Sequence, residues 1–119
     1  MDLKLSDIRK MQQELREKHL NSWGALTPDR GMEHLLWGIG EIGEVIDIVK
    51  KRGAEEVMEN PETRRHFIEE VCDVVMYLDD MLSCYKVSVE EYSEIHARKH
   101  AYNMKRDYAE QNAHLFDGK

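Results

Sequence analysis

The chain has 119 residues, enough for one hydrophobic core and too few for two independently folding ones, so a single domain over residues 1–119 is expected. Hydrophobic residues at 41%, charged residues at 34% and only two prolines exclude a disordered chain and favour helices. Seventeen basic against twenty-four acidic residues give a net charge of −7, which argues against nucleic acid or an anionic membrane surface as partner.

The amino terminus, Met1-Asp2-Leu3-Lys4, lacks an apolar export segment, and no run of about eighteen apolar residues occurs, so a soluble, cytoplasmic protein is expected. A first helix is predicted from Ser6, as N-cap, to about Leu20, with Leu5, Ile8, Met11 and Leu15 at helical spacing. Asn21, Ser22 and Gly24 break it. Thr27-Pro28 then opens a long second segment that continues to Lys50-Lys51-Arg52 and stops at Gly53. A short connector leads to Asn60-Pro61, a second cap-plus-proline signal, and a third helix carries Phe67, Val71, Val74, Val75, Leu78 and Leu82 to about Tyr85. Ser88 and Glu91 read as a capping box for a fourth helix lasting to around Tyr108, and the tail ending Asp117-Gly118-Lys119 is expected to fray. Four helices with short connections predict an all-α protein with antiparallel neighbours. Cys72 and Cys84 lack metal or disulfide spacing and read as buried, reduced thiols.

The chemistry-bearing pattern is carboxylic. Glu41 and Glu44 lie three residues apart on the second helix, and Glu70 and Asp73 lie three apart on the third, so each pair projects from one helix face. Two such pairs on adjacent helices can converge as an oxygen-rich cage suited to Mg²⁺ or Mn²⁺; on a solvated face the same spacing carries no chemistry. Leu35, Ile39, Ile42, Ile46 and Val49 fill the opposite face of the second helix, with Trp37, Val45 and Ile48 beside the acids. So much apolar perimeter implies burial on more than one side, a covered setting for Glu41 and Glu44, and at least a homodimer. Gly38, Gly40 and Gly43 within that helix point to close approach of another backbone or of a ligand.

On the fourth helix Tyr92, Ile95 and His96 give way to Lys99, Asn103 and Arg106, so a partly apolar stripe turns cationic, as a phosphate-binding face or a solvated helix end would. His96 and His100 lack the glutamate of a zinc-protease motif. Trp23 is a candidate for stacking on a base, and core packing is the expected role of Trp37.

In order along the chain these residues resemble the MazG-like and dCTP-pyrophosphatase-like families: Gly40-Glu41-Ile42-Gly43-Glu44, twenty-five intervening residues, Glu70-Val71-Cys72-Asp73, then Lys99, Asn103 and Arg106-Asp107-Tyr108. The match spans the second to fourth helices. It departs in Gly40, where many MazG proteins carry another glutamate, and in one extra residue between Asn103 and Tyr108. The resemblance implies a bundle-like all-α fold, oligomeric as a homodimer or homotetramer, that hydrolyses a nucleoside triphosphate to the monophosphate and pyrophosphate. It further implies that Glu41, Glu44, Glu70 and Asp73 hold Mg²⁺, that Lys99 and Arg106 bind phosphate, and that Asn103 contacts phosphate or nucleoside, with Tyr108 a further substrate contact. A carboxylate not committed to metal would take the proton of water, Glu44 first and Asp47 second. Two rival readings are a non-enzymatic helical oligomerisation or adaptor module and a di-iron carboxylate bundle; the second requires Glu-x-x-His pairs, which the sequence lacks.

Overall fold

The computed structural model describes residues 1–107 and Ala109, so Tyr108 and the tail through Lys119 lie outside the described residues. Among the described residues all regular structure is helical: α1 (Leu5–Lys18), α2 (Leu20–Trp23), a 3₁₀ turn (Pro28–Arg30), α3 (Gly31–Arg52), α4 (Ala54–Glu59), α5 (Pro61–Cys84) and α6 (Val89–Lys105). No described helix is long and apolar enough to cross a membrane. The chain forms two compact units, one from Met1 to Ser88 and one from Val89 onward.

Local chemistry accounts for most helix ends. At α1 the N-cap is Lys4 rather than Ser6: the Asp7 carboxylate reaches back to accept the Lys4 N–H at 2.8 Å, satisfying an otherwise open donor. Asn60 caps α5 as expected, its Oδ1 accepting from the N–H groups of Glu62 at 3.0 Å and Thr63 at 3.2 Å, with Pro61 at the first helical position. The expected connector between Gly53 and Asn60 is itself a helix, α4. Ala54-Glu55-Glu56-Val57-Met58-Glu59 is rich in strong helix formers, Val57 is buried, and Glu56 accepts the Thr63 hydroxyl at 3.1 Å. Gly53, at φ 82°, makes the bend that separates α3 from α4.

The end of α5 is less comfortable. Lys86 N–H bonds Ser83 O at 3.0 Å and Val87 N–H bonds Leu82 O at 3.0 Å, the paired closure of a Schellman turn, and this puts Lys86 at φ 60°. A lysine there has a Cβ in the left-handed region that glycine would occupy without strain.

Within the Met1–Ser88 unit α3 packs chiefly along α5, antiparallel: Gly31 lies under the Tyr85 ring, His34 beside Cys84, and Gly38 against Tyr77. The Tyr85 ring sits so close over Gly31 that any Cβ there would overlap it, so the glycine sets the approach. A Cβ at Gly38 would meet the Tyr77 Cβ at an ordinary 3.5 Å, and at Gly40 and Gly43 it would meet nothing within 4 Å in the single chain.

Helix α1 crosses α5 through a polar seam. Arg9 Nε bonds both oxygens of Asp79 at 3.0 and 3.1 Å, Gln12 Nε2 donates to Asp80 Oδ1 at 3.1 Å, and Arg16 Nη1 lies 3.5 Å from Asp80 Oδ2. Inside, His34 is fully enclosed. Its Nδ1 is 3.0 Å from the Arg30 carbonyl, which can only accept, so Nδ1 carries a proton, and Nε2 is left without a partner.

In the single chain the apolar perimeter of α3 stays open, with Ile39 56% and Ile46 52% exposed, because only α5, α4 and the 3₁₀ turn pack against this helix within the unit. One expectation from the sequence is corrected here. Cys72 is exposed on the flank of α5, whereas Cys84 is fully buried and its thiol is pushed above its ordinary value, by burial first and then by the Asp80 charge.

Candidate metal centre and ligand cavity

Antiparallel packing of α3 on α5 brings two carboxylate-bearing stretches side by side. Glu41 from α3 and Glu70 and Asp73 from α5 each offer an oxygen within 4.8 Å of the others, and all three are half-buried. Burial, and next a hydrogen bond to the Glu70 side chain, push the Glu41 carboxyl above the usual carboxylate range, with the charges of Asp73, Glu70 and Glu44 acting in the same direction. Asp73 is raised by burial and then by Glu70 and Glu69. The arrangement thus gathers negative charge that nothing in its immediate set neutralises; His66, whose Nδ1 is 3.9 Å from Glu70, can compensate only when protonated. Three carboxylate oxygens this near one another are hard donors that could hold a metal ion.

The fourth sequence-predicted ligand, Glu44, is not in this trio. It lies about one turn along α3, exposed, on the wall of the same cavity and near enough for its charge to act on Glu41. Asp47 points to solvent with its carboxylate 3.8 Å from Lys51 Nζ, off the cavity wall.

Glu41, Glu44 and Asp73 line a cavity of about 730 Å³ walled by α1, α2, the 3₁₀ turn, α3 and α5, within the size range of small-molecule sites. Gly40, Glu41, Glu44 and Asp73 line one stretch; Gln12, Arg16, Trp23, Arg30 and Asp80 line another, with Trp37 and Tyr77 among the wall residues as well. Trp23, which the sequence marked for stacking, reaches this wall because two arginines organise its loop. Arg30 Nη1 donates to the carbonyls of Trp23 at 2.7 Å and Ala25 at 2.9 Å, and Arg16 Nη2 donates to Gly24 O at 3.1 Å. The Arg16 guanidinium also lies over the Trp23 ring, 5.4 Å from its centroid. Trp37, expected in the core, is 43% exposed and lines the cavity, its ring 6.0 Å from that of Tyr77 at 60°. The Tyr77 hydroxyl is held protonated above its usual value by burial, then by the charges of Glu41, Asp73 and Asp80.

Sequence reasoning missed Gln12, Arg16, Arg30, Tyr77 and Asp80. For Gln12 the signal was a polar residue on the face of α1 that carries Leu5, Ile8, Met11 and Leu15; Asp80 stands opposite the apolar stripe of α5 and gave none.

In the second unit, Lys99 Nζ and the Arg106 guanidinium lie 5.3 and 5.4 Å from the centroid of the Tyr102 ring, so the two cations the sequence singled out share one aromatic neighbour on α6. Asn103 is half-buried and its Oδ1 has no hydrogen-bond partner. Tyr108 falls outside the described residues. Comparison of the chain with protein-family models, with curated proteins and with solved structures finds no match.

Proposed function

We propose that the protein is a Mg²⁺-dependent nucleoside triphosphate pyrophosphohydrolase of the MazG-like kind, releasing pyrophosphate and a nucleoside monophosphate. The observation that carries this reading is the trio Glu41, Glu70 and Asp73, mutually within 4.8 Å, of which Glu41 and Asp73 line a cavity that also carries arginines and aromatic faces. Like charges held together at half-burial repel, and a divalent cation is the partner that turns this cost into binding. A cavity with acids in one stretch and ring faces in another suits a ligand with a polyphosphate at one end and a planar group at the other.

Glu41, Glu70 and Asp73 would hold the metal. When bound, Mg²⁺ supplies Lewis-acid neutralisation of phosphate oxygens. Glu44, on the cavity wall and outside the trio, is the carboxylate best placed to accept a proton from attacking water; Asp47, paired with Lys51 in solvent, is the weaker candidate. Lys99 and Arg106 remain the candidate phosphate cations, and Asn103, with its unpartnered carbonyl oxygen, a nucleoside or phosphate contact. Trp23 offers a face on which a base can stack.

The reading includes a four-helix, bundle-like arrangement that assembles as a homodimer or homotetramer. Its support is the uncovered apolar perimeter of α3, where Ile39, Ile42, Ile46 and Val49 are each at least 40% exposed in the single chain. The test is pyrophosphate release from a panel of ribo- and deoxyribonucleoside triphosphates with and without Mg²⁺. The expected result is Mg²⁺-dependent release that Glu44→Gln and Asp73→Asn each abolish with helicity unchanged. Absence of release from every triphosphate, or undiminished turnover in both variants, would refute the proposal.

A further inference from the structure

Asp80 and Gln12 are 4% and 5% exposed, yet both line the cavity. Burying a carboxylate this deeply is costly unless its acceptor sites are filled. An ionised carboxylate offers about four lone-pair sites, and here one is taken by Gln12 Nε2 at 3.1 Å, while Arg16 Nη1 stands off at 3.5 Å. Beside it, Arg16 Nε is buried with no partner. The cavity wall thus presents spare acceptor capacity at Asp80; burial pushes its carboxyl above the ordinary range, while the hydrogen bond from Gln12 and the charge of Arg16 work against that and favour the charged form.

The aromatic wall gives this carboxylate its meaning. Trp23, Trp37 and Tyr77 line the same space, so a planar ring can lie against a face while its edge meets Asp80. Seven residues separate Asp80 from Asp73 on α5, which is about 10 Å of helix rise and leaves room for a sugar between a ring at Asp80 and phosphates at the acid trio.

Resting on the nucleotide reading above, we propose that Asp80, backed by Gln12 and Arg16, is the specificity-determining group of the cavity and selects a ring bearing an exocyclic amine over its oxo counterpart. The exocyclic group is the tip of the ring edge and reaches deepest, where Asp80 is the most enclosed polar group. A carboxylate can only accept, so an amine at that place donates to it, whereas an oxo oxygen would set acceptor against acceptor. A site built this way rejects the wrong partner through its own unpaired buried groups.

The test uses nucleosides, which lack the phosphates on which the catalytic reading depends. Binding of cytidine and uridine, and of adenosine and inosine, is measured by calorimetry on the wild-type protein and on Asp80→Asn. The wild type is expected to bind each amino member about tenfold or more tighter than its oxo partner. In Asp80→Asn the amide can turn its NH₂ toward an oxo oxygen, so the preference should fall within about threefold or reverse. Far-UV circular dichroism and thermal unfolding establish that the variant is folded; if it is not, the two wild-type pairs decide alone. Equal binding of both members by the wild type, or discrimination retained in folded Asp80→Asn, would overturn the proposal. Amine discrimination without pyrophosphate release from any triphosphate would uphold this assignment and refute the catalytic one. Pyrophosphate release with equal binding of amino and oxo nucleosides would do the reverse.

Discussion

Removing the Asp79 carboxylate should loosen the wall that α1 contributes to the cavity. Arg9 and Asp79 are each 14% exposed, and Arg9 Nε holds both carboxylate oxygens at 3.0 and 3.1 Å. Hydrogen bonds to charged groups contribute about 1.5–3 kcal/mol, and leaving a largely buried guanidinium unpaired adds to the loss. Because α1 has little else to bury, with Met11 at 52% and Leu5 at 46% exposed, this seam cannot be replaced by apolar packing. Asp79→Ala is expected to cost about 2 kcal/mol, which for a domain of this size lowers Tm by roughly 8 °C. The assay is urea unfolding of Arg9→Ala, Asp79→Ala and the double variant, read as a double-mutant cycle. A coupling of about 1–2 kcal/mol is expected, with the double variant scarcely worse than either single one, since it leaves no orphaned charge. Strict additivity, with coupling below about 0.3 kcal/mol, would show that the pair is a surface ornament and that α1 is held some other way.

Three further outcomes follow from named residues. Glu41 and Asp73 are raised in the folded chain, so the unfolded chain loses their protons first; their effect on metal-free stability is absent below the ordinary carboxylate range and grows unfavourable as pH rises through the raised values. Stabilisation by added Mg²⁺ should therefore increase from pH 4 to pH 7, the slope flattening in Glu41→Gln/Asp73→Asn, with all effects modest because both groups are partly solvated; a Mg²⁺ effect independent of pH would contradict this. Lys86→Gly should stabilise by about 1 kcal/mol in chemical unfolding by removing a Cβ from φ 60°, and a loss of stability would mean that the turn is not strained. Lys99→Ala should chiefly raise KM for a triphosphate by removing a charged contact; an unchanged KM would remove Lys99 from the site.

The helices were legible where local chemistry alone decides. Pro61 after Asn60 and Gly53 after a basic run each name an end without help from the rest of the chain, whereas the apolar stripes of α3 and α5 do not mark the faces by which the two helices pack. Convergence of Glu41 with Glu70 and Asp73 was legible for the same reason, since three-residue spacing fixes a helix face. Glu44 shares that spacing but stands outside the trio, because helical periodicity fixes a direction and not a depth. What the sequence hid depends on which helix lies over which. Gln12 and Asp80 are ordinary surface residue types until α1 crosses α5, and Arg16 and Arg30 acquire their role only once the loop after Trp23 folds back onto them. The uncovered face of α3 was foreseen as excess apolar perimeter, although its effect on the acids was not: without a cover in the single chain, Glu41 is half-buried and Glu44 exposed.

Titration calorimetry of the metal-free protein with Mn²⁺ and with Mg²⁺, repeated on Glu70→Gln, tests the central claim most directly, because Glu70 is a member of the trio that α5 brings beside Glu41 of α3. One saturable site per chain in the wild type, weakened at least about tenfold in Glu70→Gln with the fold intact, is the predicted result. No saturable binding in the wild type, or the same affinity in the variant, would contradict it.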